Sequence, residues 1–332
     1  MNIWMAGIDY SMAGIDIREK FSFTTSTKQK IYQQLKQHAE LLGAVLITTC
    51  NRTELYLSCK DEYQVDPFFL LCEAIGEDES NYRMLHKVRK GNEVFRHLSL
   101  LACGAKSQIW GEDQIITQVK NSLVFAREHH ATDSYLEVLF RTAITAAKKI
   151  KTQVHFSHAE DSIALKTLEV LKKQTFSPKN ILIIGNGEIG KLVANELVHH
   201  GYRVTMTLRQ YKHGSIDLPQ GVDTIDYAER YEKLSMFDTL ISATLSPHYT
   251  IEEPYFRKVD CPPKLLIDLA VPRDISPEIG KNSDFILYDV DSIGKSGINE
   301  SHARQLDEIH CIIDKYEADF ENWKKHKELV SV

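Results

Sequence analysis

The sequence predicts an α/β fold joined to an α+β unit, and three features carry the prediction. A glycine-rich turn at residues 185–190 directly follows the apolar run ILII and opens a helical pattern. Apolar runs of strand length then recur, TLISAT, KLLIDLA and DFILYDV, with the rhythm of a parallel sheet. Ahead of them, one strand, one helix and two further strands follow in order, which suits a small sheet with helices on one face. A chain of 332 residues is too long for one ordinary domain. The boundaries fall at 1–155 (α+β catalytic domain), 156–292 (nucleotide-binding domain) and 293–332 (C-terminal helix).

In chain order, Ile3 to Tyr10 reads as a strand. Lys28 to Leu42 reads as an amphipathic helix with Ile31, Leu35, Ala39 and Leu42 on one side. GAVLI (Gly43 to Ile47) and ELYLS (Glu54 to Ser58) read as strands. From about Asn92 to Gln153 the pattern is mostly helical, with no proline. SIALKTLEVLKKQ is a further helix that SPKN breaks, and from about Glu300 the chain is helical again, without glycine or proline.

The N-terminus has no basic segment leading into a long apolar core, and no run of about eighteen apolar residues occurs, so neither a signal peptide nor a membrane span is expected. A cytoplasmic location follows as an expectation. Cys50, Cys59, Cys72, Cys103, Cys261 and Cys311 form no CxxC pair, and no histidines accompany them at zinc spacing, so neither disulfides nor a metal is expected. Net charge is −6, so any RNA contact must come from a local patch, of which AAKKIK (Ala146 to Lys151) is the clearest.

The segment TTCNRTELY, Thr48 to Tyr56, sets Cys50 in a polar turn between two strands. A lone cysteine is usually a small buried hydrophobe. Thr49, Asn51 and Arg52 make poor core, however, and place this one at a surface cleft. Arg52 is close enough to favour a thiolate or to grip an acidic substrate.

In the glycine turn, Gly185, Gly187 and Gly190 fulfil G-x-G-x-x-G between a strand and a helix opening at Glu188, with Asn186 and Ile189 between them. That pattern gives a tight turn, close approach of a pyrophosphate and tight helix packing. The strand RVTMTL should end beside the adenosine ribose. Arg209 follows it where an NAD enzyme would carry an acidic residue, which favours the 2′-phosphate of NADPH. The second domain is therefore expected to be a Rossmann-type NADP-binding domain.

TTCNRTELY resembles the signature of the glutamyl-tRNA reductase family, whose motif cysteine is the nucleophile. GNGEIG is similar to the family's nucleotide turn, and HLSLLACGAKSQIWGEDQIITQVK (His97 to Lys120) lies in register with its central motif. LIDLAVPRDISPEI and YDVDSI are similar to the end of its cofactor domain, so the likeness spans roughly residues 3 to 325. The resemblance implies Ser107, Glu112, Gln114 and Gln118 as substrate-binding positions and His97 as important for activity. The family's N-H-x-x-A stands here as Asp9-Tyr10-Ser11-Met12-Ala13, its G-x-D-S carries Lys106 for the carboxylate, and its N-R-T is Leu208-Arg209-Gln210. The usual helical dimerisation domain is not matched, which leaves the oligomeric state open.

The resemblance implies NADPH-dependent reduction of glutamyl-tRNA(Glu) to glutamate-1-semialdehyde, the first committed step of tetrapyrrole synthesis by the C5 route. Cys50 would form a thioester and Arg52 would pair with the substrate carboxylate, with Thr49, Asn51 and His97 holding substrate or oxyanion. The downstream aminomutase is a candidate partner for passing on the aldehyde. Two other readings are a thiol-independent NADP dehydrogenase and a non-catalytic paralogue that binds nucleotide, tetrapyrrole or RNA as a sensor.

Overall fold

Strand β1, Asn2–Asp9, lies inside a four-stranded sheet of order β2-β3-β1-β4, with β2 at Leu41–Thr48, β3 at Arg52–Cys59 and β4 at Lys87–Lys90. All its pairings are antiparallel. The computed structural model describes residues 2–154, 156, 163–208, 218–294 and 300–330. The chain divides into two compact units, residues 1–158 with 296–332, and residues 159–295.

Every residue of β3 is buried, including Arg52, Glu54 and Ser58. Side chains alternate along a strand, so Arg52, Glu54 and Tyr56 share one face. Helices Asn92–Ala102 (α3) and Ser134–Gln153 (α5) help enclose β3, and the Phe140 ring of α5 meets Tyr56 edge-on at 5.1 Å. Helix α1, Thr25–Leu35, is capped by the Thr24 hydroxyl, and α2, Pro67–Ile75, by Asp66. Helix α4 runs Gln114–Glu128.

The helix expected over 28–42 ends seven residues early. Leu41 already pairs with Cys59, and β2 continues to Thr48. Leu42 is 42% exposed and lies off the helix altogether. The apolar run from Leu41 to Ile47 supplies a strand buried on both sides, and that pairing overrides the helical periodicity of Ala39 and Leu42.

The final helix of the chain, Glu300–Val330, belongs to the first unit. Ile309, Ile313 and Phe320 join that unit's core, and Phe320 stacks on Phe95 at 5.6 Å. An aromatic pair of this kind contributes about 0.5–1.5 kcal/mol beyond its burial. Arg96, next to His97, pairs with Asp314 at 2.5 Å and Glu317 at 2.7 Å.

The second unit begins with α6, Ile163–Lys172, and holds six parallel strands: β5 (Asn180–Ile184), β6 (Arg203–Leu208), β7 (Asp223–Asp226), β8 (Thr239–Ser242), β9 (Leu265–Asp268) and β10 (Ile286–Asp289). Their order is β10-β9-β8-β5-β6-β7, with helix α7, Glu188–His199, between β5 and β6. The chain runs outward from β5 to β7 and restarts on the other side at β8, so β5 and β8 flank a topological switch point. Among the described residues no helix is long and apolar enough to cross a membrane.

Candidate active site

Thr48 and Thr53 form the last pair of the β2–β3 ladder, and the Thr49 N–H donates to the Arg52 carbonyl at 2.9 Å. Cys50 and Asn51 therefore form a two-residue hairpin loop. The Thr49 hydroxyl accepts from the Asn51 N–H at 3.2 Å, and the Asn51 carbonyl accepts from the Tyr10 N–H at 2.9 Å. The loop is held on both sides, with Cys50 and Asn51 half-buried at its tip.

The expected thiolate is not favoured here. Burial, with help from the Glu112 carboxylate, pushes the Cys50 thiol up to about 12, against a weaker lowering pull from Arg18 and Arg52. Arg52 has little charge to spare. Its Nη1 donates to Glu54 Oε1 at 2.8 Å and lies 3.6 Å from Asp9 Oδ2, while Nη2 donates to the Lys106 carbonyl. Only 2% exposed, Arg52 braces the site from within and is not an open fork for a ligand.

Glu54 is the centre of this buried set. Its Oε2 accepts from the Tyr56 hydroxyl at 2.6 Å, and its Oε1 lies 2.9 Å from His97 Nε2. Burial alone would raise the Glu54 carboxyl, but the Arg52 charge and the hydrogen bonds from His97 and Tyr56 outweigh it and hold it well below the usual carboxylate range. Burial lowers the His97 imidazole, with Glu54 opposing. Beside a carboxylate, Nε2 carries the hydrogen and leaves Nδ1 as an acceptor. Among the described residues, the buried side-chain atoms with no hydrogen-bond partner include Asn51 Oδ1 in the hairpin, His97 Nδ1 on the Glu54 face of the sheet, and Ser107 Oγ, while Thr48 Oγ1 lies on the opposite face with Thr53. Unsatisfied polar atoms at the hairpin and at Ser107 suit a site that a polar ligand completes.

The segment Gly104 to Asp113 closes on itself, with the Gly111 N–H donating to the Gly104 carbonyl at 3.1 Å. Gly111 has φ +71°, and a Cβ there would lie 2.4 Å from Phe156 Cδ1. The loop brings the Ser107 carbonyl 3.2 Å from the Tyr10 hydroxyl and the Glu112 carboxylate into the field of Cys50. Burial raises Glu112, and the charges of Arg52 and Lys151 oppose it. Lys151, expected in a basic RNA-facing patch, instead donates to the Gly111 carbonyl at 2.6 Å, the Glu112 carbonyl at 3.0 Å and Asp113 Oδ1 at 2.6 Å. Gln114 and Gln118 are half-buried, one turn apart at the start of α4.

Thr49, Cys50, Asn51, Arg52, Ser107 and Glu112 thus gather at one place, with His97 joined through Glu54. Asp9, Glu54, Tyr56 and Lys151 were missed from sequence. The alternation Arg52-x-Glu54-x-Tyr56 was the signal that could have found two of them.

In the second unit, the glycine turn follows β5 as expected. Gly185 has φ +108°, and a Cβ there would lie 2.5 Å from the Ala243 carbonyl, which follows β8. A Cβ on Gly190 would fall on the Gly185 carbonyl, whereas Gly187 faces open space. Gly187 is also the N-cap of α7, with no side chain closing the first turn, and Asn186, Gly187 and Glu188 are exposed, with Ile189 partly so. Exposed N–H groups at an open helix start, reached over a glycine, fit a dinucleotide pyrophosphate. Arg209 lies outside the described residues. Two buried aspartates brace the loops after β8 and β9. Asp268 accepts from the N–H groups of Ala270, Asp274 and Ile275, and Asp274 accepts from Ser242 Oγ, Thr244 N and Thr244 Oγ1.

Comparison with known proteins agrees with both halves. A family model described as glutamyl-tRNAGlu reductase, N-terminal domain, matches residues 6–154, and one described as shikimate / quinate 5-dehydrogenase matches residues 167–295. The latter assigns the second unit a nicotinamide-nucleotide fold of dehydrogenase type. A glutamyl-tRNA reductase of Alkaliphilus oremlandii is 52% identical over 329 residues, covering 99% of this chain and 98% of that protein. One from Acetivibrio thermocellus is 51% identical over 327 residues, with 98% of each chain covered. The solved glutamyl-tRNA reductase from Methanopyrus kandleri superposes with a TM-score of 0.52 at 26% identity, covering 98% of this chain and 80% of its own. At half of all positions shared along nearly the whole length, the likeness reaches well beyond a common fold, and the chain, an oxidoreductase, belongs to the glutamyl-tRNA reductase family.

Proposed function

We propose that the chain reduces the glutamyl group of glutamyl-tRNA(Glu) to glutamate-1-semialdehyde through a thioester on Cys50, in the service of tetrapyrrole synthesis. The observation that carries this reading is one half-buried thiol in a fixed hairpin, tied through Tyr10 and Arg52 to the segment that carries Lys106, Ser107 and Glu112. A polar acyl group seated there would complete the hydrogen bonds of Asn51 Oδ1 and Ser107 Oγ.

The Cys50 sulfur attacks the ester carbonyl, the C–S bond forms and the C–O bond to the tRNA 3′-end breaks. The thiol must first lose its proton, and the departing ribose oxygen must gain one. His97, neutral and with an uncommitted Nδ1, is the group proposed to handle that proton, with Glu54 fixing its tautomer. Lys106, half-buried and facing Glu54, Arg52 and Asp9, takes the place of the committed Arg52 as partner for the substrate carboxylate. When bound, NADPH supplies the hydride that takes the acyl group to the aldehyde and frees the thiolate. Gly185, Gly187 and Gly190 would hold its pyrophosphate. Preference for the 2′-phosphate rests on Arg209, the residue after β6 in sequence, and Arg209→Ala should narrow the difference in KM between NADPH and NADH. The reactive aldehyde makes an aminomutase a natural partner for direct transfer.

A single-turnover assay with glutamyl-tRNA and NADPH tests the reading. Wild type should form semialdehyde, and Cys50→Ser should form at least about a thousandfold less. Equal product from both proteins would sink the thioester and favour a thiol-independent dehydrogenase.

A further inference from the structure

Asp66, Glu79 and His86 each offer one ligand atom, and these atoms lie within 4.8 Å of one another. The three residues sit apart from the hairpin, at the start of α2, at the head of a short turn Glu79–Tyr82, and just before β4. Asp66 uses Oδ1 to cap α2 by accepting from the Phe68 N–H at 2.8 Å, which leaves Oδ2 3.4 Å from His86 Nε2. Glu79 Oε1 approaches the same nitrogen at 3.9 Å. The His86 side chain is only 7% exposed, and its ring stacks on Phe68 at 4.2 Å.

The orientation of His86 is set from behind. Its Nδ1 lies 3.1 Å from the Tyr82 carbonyl. A carbonyl only accepts, so Nδ1 carries the hydrogen, and a neutral ring then turns the Nε2 lone pair toward two carboxylate oxygens. Three ligand atoms within 4.8 Å of one another call for a cation between them, either a proton on Nε2 or a metal ion. The distances separate these cases. An imidazolium N–H bonded to a carboxylate sits at about 2.7–2.9 Å, shorter than either contact here. Two ligand atoms each about 2.1 Å from a metal lie roughly 3.4 Å apart across a tetrahedral angle. The backbone carbonyl behind Nδ1 is also the outer partner that metal-bound histidines use.

We propose that Asp66, Glu79 and His86 bind a first-row divalent cation of the zinc or manganese type, water filling the remaining positions. The imidazole disfavours magnesium and calcium, which prefer oxygen alone. The ion ties the start of α2, the turn at 79–82 and the approach to β4 into one unit. Spacings of thirteen and seven residues between the ligands follow no short motif, and the sequence therefore pointed to no metal. The site stands independently of the function proposed for Cys50.

Titration of the metal-free full-length chain with Co²⁺, followed by visible absorption, tests the site. Wild type should take up one equivalent with ligand-field bands and no thiolate charge-transfer band, and Zn²⁺ should discharge the colour. Glu79→Gln should weaken binding about 10–100-fold, and His86→Ala should abolish it. Saturating Zn²⁺ should raise the Tm of wild type but not of His86→Ala. Absence of binding to wild type, equal binding to both variants, or a sulfur charge-transfer band would each overturn the proposal. Circular dichroism of the variants separates lost binding from lost fold. Asp66 is spared substitution because it also caps α2.

Discussion

The hairpin at Cys50 and the glycine turn after β5 are both loops that leave a buried strand, yet they hold their chemistry in opposite ways. The hairpin works through side chains, with Arg52 and Glu54 ionised at 2% exposure or less and His97 beside them. The glycine turn works through backbone, and its key feature is the carbon that Gly185 and Gly190 lack. One site should therefore fail through loss of charge and the other through gain of an atom.

The largest effect is expected at Glu54. Glu54→Gln leaves the buried guanidinium of Arg52 without its main counter-charge, at a cost of about 3–5 kcal/mol. Urea unfolding should show a lower midpoint at unchanged slope. The acid limb gives a second check. Glu54 is held below its unfolded pKa, so its stabilisation is present above that value and is lost as pH falls toward the folded one. Wild type should lose stability in acid more steeply than Glu54→Gln, and parallel acid limbs would show that Glu54 is not the ionised centre of the set.

At the glycine turn, two alanine substitutions should behave differently. Gly190→Ala drives a methyl into the Gly185 carbonyl and should cost about 1–3 kcal/mol. Gly187→Ala meets open space, so stability should stay within about 0.5 kcal/mol while NADPH binding weakens. Equal losses of stability in both would remove the distinction between packing and approach.

The charge environment also sets the pH behaviour of Cys50. A thiol pushed up to about 12 by burial exposes a thiolate fraction that rises tenfold per pH unit throughout neutral and mildly basic solution. Iodoacetamide alkylation at this residue should climb with unit slope from pH 7 to about 10, where an ordinary cysteine, near about 8.5, would already level off. A plateau near pH 8 would mean that Arg18 and Arg52 govern the thiol after all.

This contrast also explains what the sequence could reveal. The glycine turn was legible because its chemistry depends on local spacing: β5, the turn, α7 and β6 all lie within residues 180–208, and β6 was expected with its observed bounds. Cys50 was legible for the same reason, as polar residues between two apolar runs. Its support was not. Glu54 meets His97 across 43 positions and Lys151 reaches Gly111 across 40, and separations of that size leave no trace in a local pattern. The error at Leu42 is of the same kind, since pairing with β3 decided the end of α1 and periodicity within the segment could not show it.

Lys151 offers the finest test of how far the hairpin site depends on such distant supports. Its ammonium holds the Gly111 and Glu112 carbonyls and Asp113 Oδ1 together, and so fixes the end of the loop that carries Ser107 and Glu112. Lys151→Met keeps most of the side chain's length and its packing on Phe156 but removes the donor. Two carbonyls would turn to water, at a cost of about 1 kcal/mol. A surface cation for RNA would behave differently: its loss would raise KM for glutamyl-tRNA, more so at low salt, and leave stability alone. If Lys151 supports the loop, Tm falls by a few degrees, kcat falls with KM little changed, and added salt does not alter the ratio of variant to wild type. A salt-dependent KM with unchanged Tm would return Lys151 to the RNA-facing patch.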